Sequence, residues 1–157
     1  MRRKSYADME CSVAQALDIV GDPWTLLIVR DVFWGHHRFG EFQERLGIAR
    51  NTLADRLQVL TEAGILAKRA YQSNPERFEY WLTDKGRALS PVIITLMRWG
   101  DEWSGLPEPP VRILDRDSGE VLDPVLIDRR TGRPLEEVKM RVVPSSEIAA
   151  DPSDGPD

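Results

Sequence analysis

Cysteine is almost absent from this 157-residue chain. The single thiol, Cys11, excludes an intrachain disulfide framework and any zinc site built on several cysteines, and it suits a reducing compartment. Histidine is scarce too. His36 and His37 are adjacent, and neighbouring side chains point apart, so a polar turn is expected there and no metal ligand is assigned. Long apolar runs are missing: stretches such as Trp24 to Val29 fall far short of the roughly 20 residues of a membrane span. No apolar segment follows the basic Met1-Arg2-Arg3-Lys4, so a secretory signal is not expected and a cytoplasmic location is. There is no Ser-His-Asp set, phosphate loop or glycine-rich dinucleotide fingerprint. Carboxylates number 26, too many for any pair of them to signal catalysis. Neither an enzyme nor a bound cofactor is expected.

Aromatic residues are missing from the last third. All 12 lie at or before Trp103, and aromatics supply the largest buried areas of small cores, so the core is expected within residues 1–104. An excess of positive charge is also lacking, since the net charge is −5. Up to Ser104, however, 14 Lys and Arg balance 14 Asp and Glu, whereas the remainder has 7 against 12. From Arg38 to Arg77 seven basic residues face five acidic ones. Surface potential follows local charge, so overall acidity is a weak objection to a polyanionic partner.

The apolar spacing predicts a run of helices. Met9–Val20 is helical in pattern and stops at Gly21. Asp22 is a good N-cap, with Pro23 at the first helical position. Pro23–Trp34 is apolar on nearly all sides, as a central buried helix would be. A short helix Gly40–Leu46, a turn at Gly47-Ile48 and a helix Ala49–Ala63 with a Leu53, Leu57, Leu60 stripe make a helix-turn-helix pattern. Two strands follow, Ile65–Gln72 and Glu76–Thr83, joined by Ser73-Asn74-Pro75. Asp84–Trp103 reads as a helix that Pro91 should kink or split. The expected fold is therefore mainly α with a β-hairpin wing, plus a small β-rich C-terminal extension.

These residues resemble the HxlR-type winged helix-turn-helix transcriptional regulators. The resemblance is carried by the stretch from Cys11 to Arg30, by Gly35-His-His-Arg-Phe-Gly-Glu-Phe, and by Gly47-Ile-Ala-Arg-Asn-Thr-Leu. It continues through Tyr71 with Pro75-Glu-Arg-Phe-Glu-Tyr-Trp-Leu-Thr, then Gly86-Arg-Ala-Leu-Ser-Pro and Arg98-Trp-Gly. It implies a homodimeric DNA-binding repressor or activator, paired through its first and last helices. Ala49 departs from the family, which often has Ser there, and forgoes a polar helix start worth ~1 kcal/mol at most.

On the Ala49–Ala63 helix the leucine stripe faces the core, and Asn51, Asp55, Gln58 and Glu62 face away. Groove-reading residues come from the N-terminal turns of such a helix. Arg50, Asn51, Thr52, Asp55 and Arg56 are therefore the candidates for base contacts, Asn suiting adenine and Arg guanine. Arg38, Lys68, Arg69, Asn74 and Arg77 are the candidates for the backbone and wing. For a two-fold dimer interface the candidates are Val13, Leu17, Ile93, Leu96, Met97, Trp99 and Trp103. The near-zero charge of residues 1–104 leaves open an alternative, a winged-helix protein-interaction module that binds no DNA.

Some relatives use a cysteine at the position of Cys11 to sense oxidants or electrophiles. A helix N-terminus with Arg2, Arg3 and Lys4 upstream favours a reactive thiol, while a buried cysteine acting as a small hydrophobe is the plainer reading. An oxidant or small-molecule effector is thus a partner to test. Beyond a stiff linker at 105–110, Val111–Asp115, Glu120–Asp128 and Pro134–Val143 are expected to be short strands. Some relatives carry a zinc ribbon there with Cys-X-X-Cys-Gly knuckles. Asp128-Arg-Arg-Thr131-Gly132 has no thiols, so a metal-free appendage over 111–143 is expected, with a disordered tail at 144–157.

Overall fold

The computed structural model describes residues 5–148. Of these, the residues up to Glu108 form a first compact unit that contains every long element, and those from Pro109 onward form a second. The part of the tail beyond residue 148, and the basic residues before Ser5, lie outside the described residues.

Helix α1 (Ser12–Val20) ends at Gly21, and α2 (Pro23–Phe33) starts at once from the Asp22 cap, whose carboxylate accepts the Trp24 N–H at 3.0 Å. Two apolar helices joined this tightly must bend so that both can bury a face. The bend is 78°, and no single helix among the described residues is long and apolar enough to cross a membrane. Helix α2 is the hub, in contact with α1, α3, α4, α6 and the hairpin. Ile28 and Val29 are completely buried on it, which is the outcome its all-round apolar sequence predicts.

Helix α3 (Phe39–Leu46) stops where Gly47 takes a left-handed φ of 61°, a conformation costly for a residue with a Cβ. Helix α4 (Arg50–Glu62) follows, and Ala49 at its N-cap makes no side-chain capping bond. Leu53, Leu57 and Leu60 join Phe42, Ile28, Val29, Ile65, Leu66 and Tyr80 in one core. Strands β1 (Leu66–Ser73) and β2 (Glu76–Leu82) form the antiparallel hairpin, pairing Leu66 with Leu82 and Lys68 with Tyr80.

The helix expected over Asp84–Trp103 is split, as Pro91 allows. A single turn, α5 (Asp84–Arg87), precedes α6 (Ser90–Trp103), and Pro91 sits in the first turn of α6, where its missing N–H costs no intrahelical bond. Gly86 is fixed by packing, because a Cβ there would lie 2.3 Å from the Ile65 carbonyl oxygen.

The second unit is less regular than its sequence suggests. The expected strands shrink to two isolated bridges, Leu114 to Val121 and Ile127 to Pro134, and the segment expected as a third strand opens with a 3-10 turn, Leu135–Glu137. Each bridge closes the same kind of turn. Asp115 accepts the N–H groups of Asp117 and Ser118, and Asp128 those of Arg130 and Thr131 together with the Thr131 hydroxyl. These bonds hold both carboxyls below their ordinary range, led by the Ser118 N–H for Asp115 and by the Thr131 hydroxyl for Asp128. Each bridge is followed by one further backbone hydrogen bond, Leu122 N–H to the Ile113 carbonyl and Leu135 N–H to the Leu126 carbonyl, and a 3-10 turn begins at Leu135 in the second.

Candidate nucleic-acid interface

One side of the first unit combines the start of α4, the start of α3 and the hairpin. The connection from α2 to α3 is laid along β2 as a partial third strand. The Tyr80 N–H donates to the His37 carbonyl at 2.8 Å, and His37 Nδ1 lies 3.0 Å from the Tyr80 carbonyl oxygen. The His37 ring stacks on Trp81 at 3.7 Å, and Arg38 bridges to Glu79. His37 is thus a pin for the wing. Its sequence context reads as a polar turn, and no local signal marks the pinning role, because the partner Tyr80 lies 43 residues further along the chain.

Between these elements lies an open groove of about 460 Å³, with Arg38, Arg50 and Arg77 on its walls alongside Phe39, Gln43 and Tyr71. Arg38 and Arg50, and Lys68 nearby, are held over rings. The Arg50 guanidinium lies 5.3 Å from the Phe39 ring centre, that of Arg38 4.4 Å from Tyr71, and the Lys68 ammonium 3.7 Å from Phe78. Such stacking orients a charge without neutralising it. Arg38 also donates to Glu79 at 2.9 Å, and this bond raises its already high pKa. Arg77 is exposed and has no ion-pair partner among the described residues. Acidic side chains share the area: Glu76 lines the groove, and Glu62 borders a second hollow beside Gln58 and Lys68.

The predicted base-contact residues divide by their position around α4. Arg50, Asn51 and Asp55 are exposed and Thr52 is half-buried. Arg56 points elsewhere: its guanidinium reaches back to α2, where Nη1 lies 3.3 Å from Asp22 Oδ2. The wing set divides as well. Lys68 pairs with Tyr80 on one face of the hairpin, and Arg69, next in sequence, pairs with Glu79 on the other, with its guanidinium 5.8 Å from Trp81. Asn74 is exposed in the turn between the strands, and its carbonyl accepts from Gln72.

A helix-turn-helix with a hairpin wing and a cationic groove between them narrows the kinship, and comparison with known sequences decides it. The family model of HxlR-like helix-turn-helix domains matches residues 19–107. The chain belongs to the HxlR-like helix-turn-helix family. Its relatives include an uncharacterised HTH-type transcriptional regulator of Mycobacterium tuberculosis, Rv3095, 47% identical over 133 residues, which is 84% of this chain and 82% of the relative. Among solved structures, PA1607, provisionally assigned as a transcription factor, shares 42% identity at a TM-score of 0.78, covering 89% of this chain and 99% of its own. The oxidised form of the redox regulator HypR shares 31% identity at a TM-score of 0.55, covering 59% and 96%. This HxlR-like protein is a transcription regulator with a winged helix-turn-helix fold, and DNA binding is implied by its family.

Two other surface features of the first unit lie apart from the groove. Helices α1 and α6 expose Val13 at 66%, Leu17 at 45%, Leu96 at 51%, Trp99 at 61% and Trp103 at 67%. Ile93 departs from the expected interface set. It is buried in the protomer's own core, and Met97 packs partly against that core, because both lie on the side of α6 that faces inward. Cys11 is exposed as the N-cap of α1, which replaces the buried, inert thiol of the plainer reading. No group of three or more metal-binding side chains occurs among the described residues.

Proposed function

We propose that this regulator acts as a cytoplasmic homodimer that binds a two-fold DNA operator. The start of α4 enters the major groove and the hairpin flanks it. The reading is carried by one observation, the gathering of Arg38, Arg50 and Arg77 around a single groove at the junction of α3, α4 and wing. Arg50 and Asn51 are the base readers, Thr52 and Asp55 flank them, and Arg38, Lys68, Asn74 and Arg77 serve the phosphates. Arg69, on the opposite hairpin face, contributes through the general field. Pairing through α1 and α6 is supported by the size of their exposed apolar faces.

Gel shift against the DNA upstream of the protein's own gene, at two salt concentrations, tests the reading. Arg77→Ala is expected to weaken all duplexes about equally and to lower the salt slope by about one charge. An unchanged slope removes Arg77 from the contacts.

The exposure of Cys11 at a helix N-terminus, together with the likeness to a redox regulator, supports a thiol-based response. With one cysteine per chain, oxidation yields an intersubunit disulfide or a mixed disulfide with a small thiol. Diamide is expected to change the DNA affinity of the natural protein and leave Cys11→Ser unaffected; equal responses end this part of the proposal.

A further inference from the structure

The Asp22 carboxylate occupies the corner between α1 and α2, where the two helices bend by 78°. Its two oxygens do different things. Oδ1 caps α2 through the Trp24 N–H, and Oδ2 holds Arg56 of α4 at 3.3 Å. Neither partner is far into solvent, with side-chain exposures of 23% for Asp22 and 27% for Arg56. Arg56 Nε is buried and has no hydrogen-bond partner, so the guanidinium is wedged between the helices. Among the described residues this is the one ion pair that ties α4 to another element.

The other tie between α2 and α4 is the shared apolar core, and apolar burial is non-directional. The buried leucine stripe sets the rotation of α4 to within the slack of side-chain packing, and a directional ion pair narrows it further. Side-chain tips lie about 5–6 Å from a helix axis, so a rotation of about 10° moves them by about 1 Å. That is enough to spoil a bidentate hydrogen bond to a base, whose distance tolerance is a few tenths of an ångström. Contacts to phosphate, dominated by charge, tolerate it.

Building on the DNA-binding reading, we infer that Asp22 is a positioning residue for sequence discrimination: through Arg56 it sets the rotation of α4 and with it the aim of Arg50 and Asn51. Asp22 touches no base.

The test uses a duplex selected by the natural protein from a randomised pool, and a scrambled duplex of equal composition. Asp22→Asn keeps a good cap and removes the charge. It is expected to lose about tenfold in affinity for the selected duplex, with scrambled binding and the salt slope unchanged. Arg56→Gln should lose as much, and the double variant no more than either single one. Asp22→Glu, which keeps the charge at the expense of the cap, should melt lower yet retain selectivity. Tighter binding by Asp22→Asn with a steeper salt slope would overturn the inference, since Arg56 would then be a masked phosphate contact. Unchanged selectivity, equal losses on both duplexes or additive losses overturn it too. If the natural protein selects no duplex at all, the DNA-binding reading falls first and takes this one with it.

Discussion

At the scale of single residues, the most exacting environment belongs to Asp31. Its side chain is fully buried, yet both oxygens are paired: Arg30 donates to Oδ1 at 2.7 and 3.0 Å, and Arg45 to Oδ2 at 3.2 Å. Trp34 covers the group, with the two guanidiniums 4.6 and 5.9 Å from its ring. A buried carboxylate survives only with such compensation. Asp31→Asn leaves two cations without their counter-charge. The expected loss is about 2–3 kcal/mol, below the ~3–5 of a wholly buried pair because both arginines reach water. Urea denaturation measures it, and a loss under 1 kcal/mol would show that the cluster is dispensable. Because Arg45 belongs to α3, this one charge also fixes the first helix of the helix-turn-helix to the hub.

At the scale of elements, α3 begins on a carboxylate three residues into the helix. Glu41 Oε2 accepts the N–H groups of His37 and Arg38, each at 2.8 Å. Partial burial pushes the Glu41 carboxyl up, but the two backbone N–H bonds outweigh it and hold the group below its ordinary range. A carboxyl with a lowered pKa stabilises the fold above its unfolded pKa and loses that contribution as pH falls through the folded value. Glu41→Gln is therefore expected to cost about 1 kcal/mol at pH 7, with the gap to the natural protein closing below about pH 4. Denaturation at pH 7 and pH 3.5 checks the sign; a gap that widens in acid refutes it. The consequence for function is direct, since the same residue anchors the connection that pins the wing.

At the scale of the whole molecule, the exposed tryptophans decide. Trp99 and Trp103 do little for the protomer's own core, so replacing both with Glu should leave the helical circular dichroism intact. The same change is expected to turn a dimer at micromolar concentration into a monomer in sedimentation equilibrium. A natural protein that sediments as a monomer would remove the two-fold reading. The second unit adds an architectural detail that periodicity could have exposed. Ile113–Asp123 and Leu126–Glu136 are near-copies, each with Asp-Arg-X-Ser/Thr-Gly at its turn, and the two turns are built by the same bonds. Helical and strand spacings run over two to four residues, so a repeat of this length does not show in them.

Local patterns determined much of this protein. The leucine stripe of α4, the Asp22-Pro23 start of α2, the glycine stops and the hairpin all follow from period and capping chemistry, which act within a few residues of the chain. So did the list of candidate cations, because charge is visible in composition. What the chain alone left undecided was where long side chains go. Arg56 lies one turn from Thr52 on the same helix, and only the approach of α2 turned it from the groove to Asp22. Lys68 and Arg69 are neighbours in sequence and opposites in space because pairing alternates faces. Ile93 and Trp99 share a helix, yet packing buried one and left the other at 61% exposure. A flexible side chain takes its direction from partners distant in sequence, and those partners exist only once the chain has folded.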